Sequence, residues 1–196
     1  MTDKKDSFEV EVKLPLRDLL PLNSLGLAAY EVTPRHFEDN WLFDTADRTL
    51  YRGGAALRVR FAHGRGVVTY KGPAQTEQSF KVREEIESGV DDPQGLLEIF
   101  RRLGYEKHFR YQKYRTVLRF DLPGGRSLAA MFDETPLGNY LELEGGREEI
   151  LEVAGRLGFA PDSFVTESYP ALQRKRCAEA GRELEDLVFA AGQVGG

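Results

Sequence analysis

Charged and apolar residues alternate without a break through Phe8-Glu9-Val10-Glu11-Val12-Lys13-Leu14. Side chains alternate faces along an extended chain, so the stretch is predicted to be a strand with Glu9, Glu11 and Lys13 on one face and Phe8, Val10, Val12 and Leu14 on the other. The same period-two comb returns at Leu57–Phe61, Arg83–Glu87, Lys113–Arg115 and Leu141–Glu144. An antiparallel sheet with one wet face produces combs of this kind. Such faces usually mix in Thr, Ser and Gln, whereas these positions are nearly all Glu, Arg or Lys, with carboxylate pairs on some strands and cation pairs on others. If the sheet closes with this face inward, the lumen holds Glu9, Glu11, Glu85, Glu87, Glu142 and Glu144. Beside them stand Lys13, Arg58, Arg60, Arg83, Lys113 and Arg115. Like charges ~4 Å apart repel by up to ~4 kcal/mol at an effective dielectric near 20. That interior needs ligands of both signs, divalent cations for the carboxylates and a polyanion for the cations.

Between the combs, residues 18–25 carry leucines at roughly helical spacing, interrupted by Pro21, which predicts a short helix. Ala29–Thr33 and His36–Asp44 read as two strands, and Gly64-Arg65-Gly66 as a hairpin into Val67–Lys71. Residues 74–80 are polar and are expected to form a mobile loop. Asp92-Pro93 starts a helix whose stripe is Leu96, Leu97, Phe100 and Leu103. A long strand follows at Tyr105–Leu122, then strands at Ser127–Asp133 and Tyr140–Glu144. Helices are expected at Arg147–Leu157, Tyr169–Ala180 and Leu184–Ala191, with Gly192–Gly196 a frayed tail. Arg101-Arg102-Leu103-Gly104-Tyr105 is echoed by Gly155-Arg156-Leu157-Gly158-Phe159 and suggests two comparable units. The apolar sides of the combs need cover and the helices are available to supply it. The expected architecture is α+β, a barrel that is charged inside, apolar outside and wrapped by helices.

At 196 residues the chain is expected to be a single domain over 1–196, with C-terminal helices from about residue 166. A net charge of −5 gives no global field for nucleic acid, so anion-binding residues must be concentrated locally. The lone Cys177 excludes an internal disulfide and a cysteine-rich metal site. Met1–Ser7 is polar and no long apolar run follows, so the expectation is a cytoplasmic protein that engages neither membrane nor duplex nucleic acid. The sequence leaves open whether it pairs as a homodimer.

Taken in order, Glu9-x-Glu11-x-Lys13, Arg58-x-Arg60, Lys71, Arg83-x-Glu85-x-Glu87, Lys113-x-Arg115, Asp133 and Glu142-x-Glu144 resemble the CYTH family, or triphosphate tunnel metalloenzymes. Phe43-Asp44-Thr45, Tyr70-Lys71-Gly72-Pro73, Asp133–Gly138 and Ser168-Tyr169 extend the resemblance, which runs from Glu9 to about Tyr169. It implies an eight-stranded antiparallel closed barrel, a tunnel that binds a triphosphate with Mg²⁺ or Mn²⁺. By position, Lys13, Arg58, Arg60, Lys71, Arg83, Lys113 and Arg115 are implied phosphate contacts. Glu142, Glu144, Glu9 and Glu11 are implied metal ligands, with Asp133, Glu85 and Glu87 completing the set. Glu9, Glu11, Lys13, Lys71 and Glu85 are the implied catalytic residues. Carboxylate oxygens suit hard divalent cations, and the planar guanidinium suits phosphate.

The resemblance implies hydrolysis of inorganic, thiamine or nucleoside triphosphate as the first expectation. Adenylyl cyclase chemistry of class IV is the alternative, and a non-catalytic polyphosphate binder, for which paired Glu-x-Glu motifs have no use, the third. Trp41, Phe80, Phe109 and Tyr111 are candidates to stack on a base, although each also reads as packing. Glu167 stands where many relatives carry a basic residue, leaving Arg174 or Lys175 to substitute. His36, His63 and His108 match no ligand spacing and read as structural or surface residues. Ser168 reads as a helix cap.

Overall fold

Strand β1 (Phe8–Pro15) pairs along both edges, and that closes the sheet. The computed structural model describes residues 8–18, 28–77 and 79–191. After β1 come β2 (Ala28–Thr45), a short α1 (Thr49–Arg52), β3 (Ala56–Ala62), β4 (Arg65–Lys71), β5 (Gln75–Glu77) and β6 (Phe80–Val90). Then follow α2 (Pro93–Arg102), β7 (Tyr105–Leu122), β8 (Arg126–Thr135), β9 (Gly138–Glu144), α3 (Arg147–Arg156) and α4 (Tyr169–Glu179). The order β1-β9-β8-β7-β2-β3-β4-β6 returns to β1, giving a closed barrel of eight antiparallel strands, with β5 appended to β6. The predicted helix at residues 18–25 and the tail at 192–196 lie outside the described residues, apart from Asp18.

The apolar sides of the combs face outward, as expected of an inverted barrel. Ile150, Val153 and Ala154 of α3 are fully buried against Val12, Leu14, Leu141 and Leu143. On the other side, Phe100 of α2 packs on Phe43 at a ring separation of 5.3 Å, beside Val59. The Asp92 side chain caps α2 by accepting from Gly95 N at 2.9 Å. The cover is incomplete, because Ile86 is 55% exposed and its cross-strand partner Tyr70 is 36% exposed.

Several elements differ from the sequence expectation. The two strands predicted at 29–33 and 36–44 are one strand, β2, whose register with β7 shifts between Glu31 and His36. Pro34 sits inside that shift and supplies no N–H to the ladder. Residues 75–77 are strand rather than loop, since the stretch Phe80–Val82 is not paired to β4 and β5 fills that edge. Residues 184–191 contain no helix. Strand β8 pairs only with Tyr114–Leu122 of β7, so the edge below needs partners. Leu187 provides them, donating to Arg110 O at 2.9 Å and accepting from Gln112 N at 2.9 Å. Helix α1 was not anticipated, and it is anchored by the Asp44 carboxylate, which accepts from Leu50 N and Tyr51 N, both at 2.9 Å.

Candidate active site

Register sets the residues of the combs beside one another around the barrel wall. Glu11 lies opposite Glu144 and Lys13 opposite Glu142 on β9, while Glu9 lies opposite Arg83 and Glu11 opposite Lys81 on β6. Lys71 faces Glu85, Arg58 faces Thr69, and Arg115 faces Asp133. All of these except Thr69 and Asp133 line a cavity of about 930 Å³ inside the barrel. Asp133 alone of the predicted set does not line it, although it anchors residues that do.

Asp133 is fully buried and is the hub of one wall. Its carboxylate accepts from Arg115 twice at 2.6 Å, from Lys113 at 2.8 Å and from the Tyr169 hydroxyl at 2.8 Å. Arg115 also pairs with Glu142, and Lys13 lies 3.2 Å from Glu142. With cations on both sides, Glu142 is held well below the usual carboxylate range despite its burial. On the opposite wall Arg58 donates to Glu87 and Thr69, both at 2.9 Å, and Lys71 pairs with Glu85. Burial and the neighbouring Arg58 bring Lys71 down to about 8.

Two carboxylates escape this pairing. Among the described residues, neither Glu9 nor Glu144 has an ion pair to a lysine or arginine. Burial, then Glu144 and Glu85, push Glu9 up to about 7, and burial, then Glu11 and Glu142, push Glu144 up. Buried donors are also left over, since Arg58 Nε and Arg60 Nε have no hydrogen-bond partner among the described residues. Among the described residues, the site therefore holds two carboxyl groups without a lysine or arginine partner and two guanidinium nitrogens without an acceptor in one enclosed space.

The donor set fits a hard divalent cation. Among the described residues no three such side chains already converge as a metal cage. A small cation held by one or two carboxylates and by oxygens of a bound phosphate chain requires no cage. A metal-free protein is expected to lose stability as pH rises from 4.5 towards 7, because folded Glu9 binds its proton more tightly than the unfolded chain does. Urea midpoints in EDTA should fall less between pH 5 and pH 8 for Glu9→Gln than for the wild type; an equal fall would mean that Glu9 is not the group responsible.

Some residues play parts that their types alone did not announce. Arg83 is only 9% exposed, and its guanidinium donates to Gly72 O at 2.6 Å, Gly54 O at 3.3 Å and Lys71 O at 3.4 Å, so it ties down the chain flanking Lys71. Lys81, which extends the Arg83-x-Glu85 comb, pairs with Glu11. Glu38 is 1% exposed and lies 3.3 Å from Arg60 and 3.5 Å from Lys113. The period-two series His36-x-Glu38-x-Asn40 was the signal for it. Phe109 and Tyr111 line the cavity, whereas Trp41 and Phe80 face outward, Trp41 against Phe61 and Phe80 against Phe164. Ser168 caps α4 through Ala171 N. His36, His63 and His108 all line the cavity.

Known proteins share this architecture. A Vibrio parahaemolyticus structure described as a "putative adenylate cyclase" superposes with a TM-score of 0.71 at 18% identity, over 84% of this chain and 97% of that one. The Hippeastrum protein HpAC1, described as a candidate adenylyl cyclase with a dominant triphosphatase activity, gives 0.59 at 20% identity, over 90% and 97%. At these identities the likeness shows the fold alone. A Methanocaldococcus jannaschii protein, also named an adenylate cyclase with the same qualifier, is 29% identical over 181 residues, 85% of this chain and 98% of that one. Among the described residues, no helix is long and apolar enough to cross a membrane. The CYTH domain model matches residues 7–169, so a closed barrel with acidic and basic teeth inside it belongs, in this chain, to a member of the CYTH domain family of enzymes.

Proposed function

We propose that this protein is a divalent-metal-dependent hydrolase of a triphosphate, using Mg²⁺ or Mn²⁺. The observation that carries the reading is the coexistence in one bore of Arg58 Nε and Arg60 Nε, which have no acceptor among the described residues, with the carboxyl groups Glu9 and Glu144, which burial and neighbouring carboxylates push up. A triphosphate and a cation together satisfy both, and neither alone does.

In this reading Arg58, Arg60, Lys71 and Arg115 hold phosphate oxygens, and Lys13 and Lys113 add charge from behind, being 2% exposed each. Arg83 fixes the Lys71 backbone. Glu9, Glu11, Glu142 and Glu144 would hold the metal, with Glu85, Glu87 and Asp133 keeping the cations in place. When bound, the metal supplies charge stabilisation at the phosphorus and a more acidic water. The cations offset charge that builds up on the leaving phosphate. Lys71, with its proton only loosely held, can give that proton to the leaving oxygen and recover it through Glu85.

The name of the Methanocaldococcus relative favours a second reading, cyclisation of ATP with loss of pyrophosphate. The HpAC1 description favours the first. Incubation with inorganic triphosphate, ATP and thiamine triphosphate in Mg²⁺ or Mn²⁺ is expected to release phosphate from at least one, and EDTA is expected to stop it. Cyclic AMP as the main ATP product would replace hydrolase by cyclase. Binding without any turnover would leave a polyphosphate-binding module.

A further inference from the structure

Glu38 is held differently from Asp133. Asp133 is clamped by Arg115 and Lys113 at 2.6 to 2.8 Å. The basic neighbours of Glu38 stand farther off: Oε1 lies 3.3 Å from Arg60 Nη1 and 3.5 Å from His36 Nε2, and Oε2 lies 3.5 Å from Lys113 Nζ. Oε2 has no hydrogen-bond partner among the described residues, although the residue is only 1% exposed. One negative charge is therefore shared among three bases and locked to none of them. Two of the three, Arg60 and Lys113, belong to the proposed phosphate set. Among the described residues, Glu38 is the one carboxylate within ion-pair distance of Arg60. How Glu38 divides its charge thus decides how much of Arg60 and Lys113 is left for an anion.

The third base can change its own charge. His36 lies two residues before Glu38 on the inward face of β2, and its side chain is 11% exposed. Its Nδ1 is 2.9 Å from Pro34 O, and a carbonyl can only accept, so Nδ1 carries a hydrogen. Its Nε2 faces the Glu38 carboxylate, which also only accepts. Both ring nitrogens face acceptors, and only the imidazolium offers a proton to each. Around the ring stand also Arg115, its ladder partner on β7, and His63 of the β3–β4 turn, whose ring centroid is 4.4 Å away. Arg65 of β4 and Asp39 of β2 line the outer concavity beside it, and Asp39 is itself held by Arg110 at 2.8 Å. The Glu38 carboxylate, with the Pro34 carbonyl, outweighs burial and Arg115 and holds the ring above the ordinary histidine value.

We propose that His36 is a positioning residue for the triphosphate site, acting through Glu38: while protonated it draws the Glu38 charge to itself and leaves Arg60 and Lys113 to the anion, and once deprotonated it releases Glu38 onto those two cations. The role rests on the triphosphate reading of the bore. Its sign follows from the charges. The protonated state favours the anion, and a raised value keeps the proton to higher pH, so affinity for a triphosphate is full at low pH and falls as pH rises through that value. By reciprocity, a bound triphosphate tightens the hold of His36 on its proton.

The test is calorimetric binding of inorganic diimidotriphosphate in Mg²⁺ between about pH 6 and about pH 9, to the wild type, His36→Gln, Glu38→Gln and the double variant. Glu9, Lys71 and the phosphates ionise in this range in every variant, so the readout is the ratio of wild-type to His36→Gln affinity. That ratio is expected to be about tenfold at the acid end, the scale of one unit charge several ångströms from the anion at an effective dielectric near 20, and to approach unity at the alkaline end. In the Glu38→Gln background, His36→Gln should leave the profile unchanged. The His36 ring signal in NMR, identified by its loss in His36→Gln, should titrate at higher pH in the wild type than in Glu38→Gln, and higher still with the analogue bound. A ratio that is the same at every pH means that His36 only packs, and a pH-dependent ratio that survives in Glu38→Gln means that it acts without Glu38; either overturns the proposal and leaves the triphosphate reading standing. If the wild type fails to bind the analogue at any pH, the triphosphate reading fails and this role with it.

Discussion

Asp133→Asn is expected to lower the melting temperature by about 10 °C, corresponding to the roughly 3–5 kcal/mol typical of breaking a buried ion pair from one side. The carboxylate is fully buried and compensates Lys113 and Arg115, which are themselves almost wholly buried and have no water to fall back on. It also accepts the Tyr169 hydroxyl, so the start of α4 should loosen along with the barrel wall. An added polyanion can supply part of the missing negative charge. Inorganic triphosphate should therefore raise the melting temperature of Asp133→Asn more than it raises that of the wild type. Thermal unfolding followed by circular dichroism measures both effects. A loss below about 1 kcal/mol would mean that water already screens this wall and that the lumen is less enclosed than its geometry shows.

Glu144→Gln should have the opposite balance, with a large loss of turnover and no loss of fold. Among the described residues Glu144 has no ion pair to a lysine or arginine, and it is pushed up by burial and by Glu11 and Glu142. Removing its charge relieves repulsion in the metal-free protein, so the melting temperature in EDTA should hold steady or rise. With a metal present, the same change removes a carboxylate oxygen from the proposed cation site. Metal-dependent phosphate release should fall about 100-fold or more, with half-saturation displaced to higher Mg²⁺. A Glu144→Gln protein with wild-type turnover would place the metal elsewhere, and the unpaired Glu144 would then have no role in this mechanism.

The strand combs were legible because the signal is local. Alternation at Glu9, Glu11 and Lys13 or at Arg58 and Arg60 needs no knowledge of neighbours, and the structure turns all of these residues into one cavity. Asp92-Pro93 was legible for the same reason, since the cap and the first turn lie within four residues. The misread segments share a different character. Residues 75–77 and 184–191 take their form from unpaired strand edges that sequence spacing does not reveal, at Phe80–Val82 and at Arg110–Gln112. Leu184, Leu187 and Val188 fit a helical stripe equally well, and the open edge of β7 decided against it.

The candidate site divides in the same way. Residue type and parity identified the lumen-facing Glu, Lys and Arg, but not their pairings. Tertiary structure placed Lys113 and Arg115 on Asp133, turned Arg83 onto backbone carbonyls, brought Glu38 and Lys81 into the charge network, and, among the described residues, left Glu9 and Glu144 without a lysine or arginine ion pair. By itself the sequence determined which side chains share a face and that the charges on this face are sorted by sign. Only the closed barrel decided which charges cancel and which remain for a ligand, because each pairing depends on the stagger between strands far apart in the chain, and alternation along a single strand carries no information about that stagger.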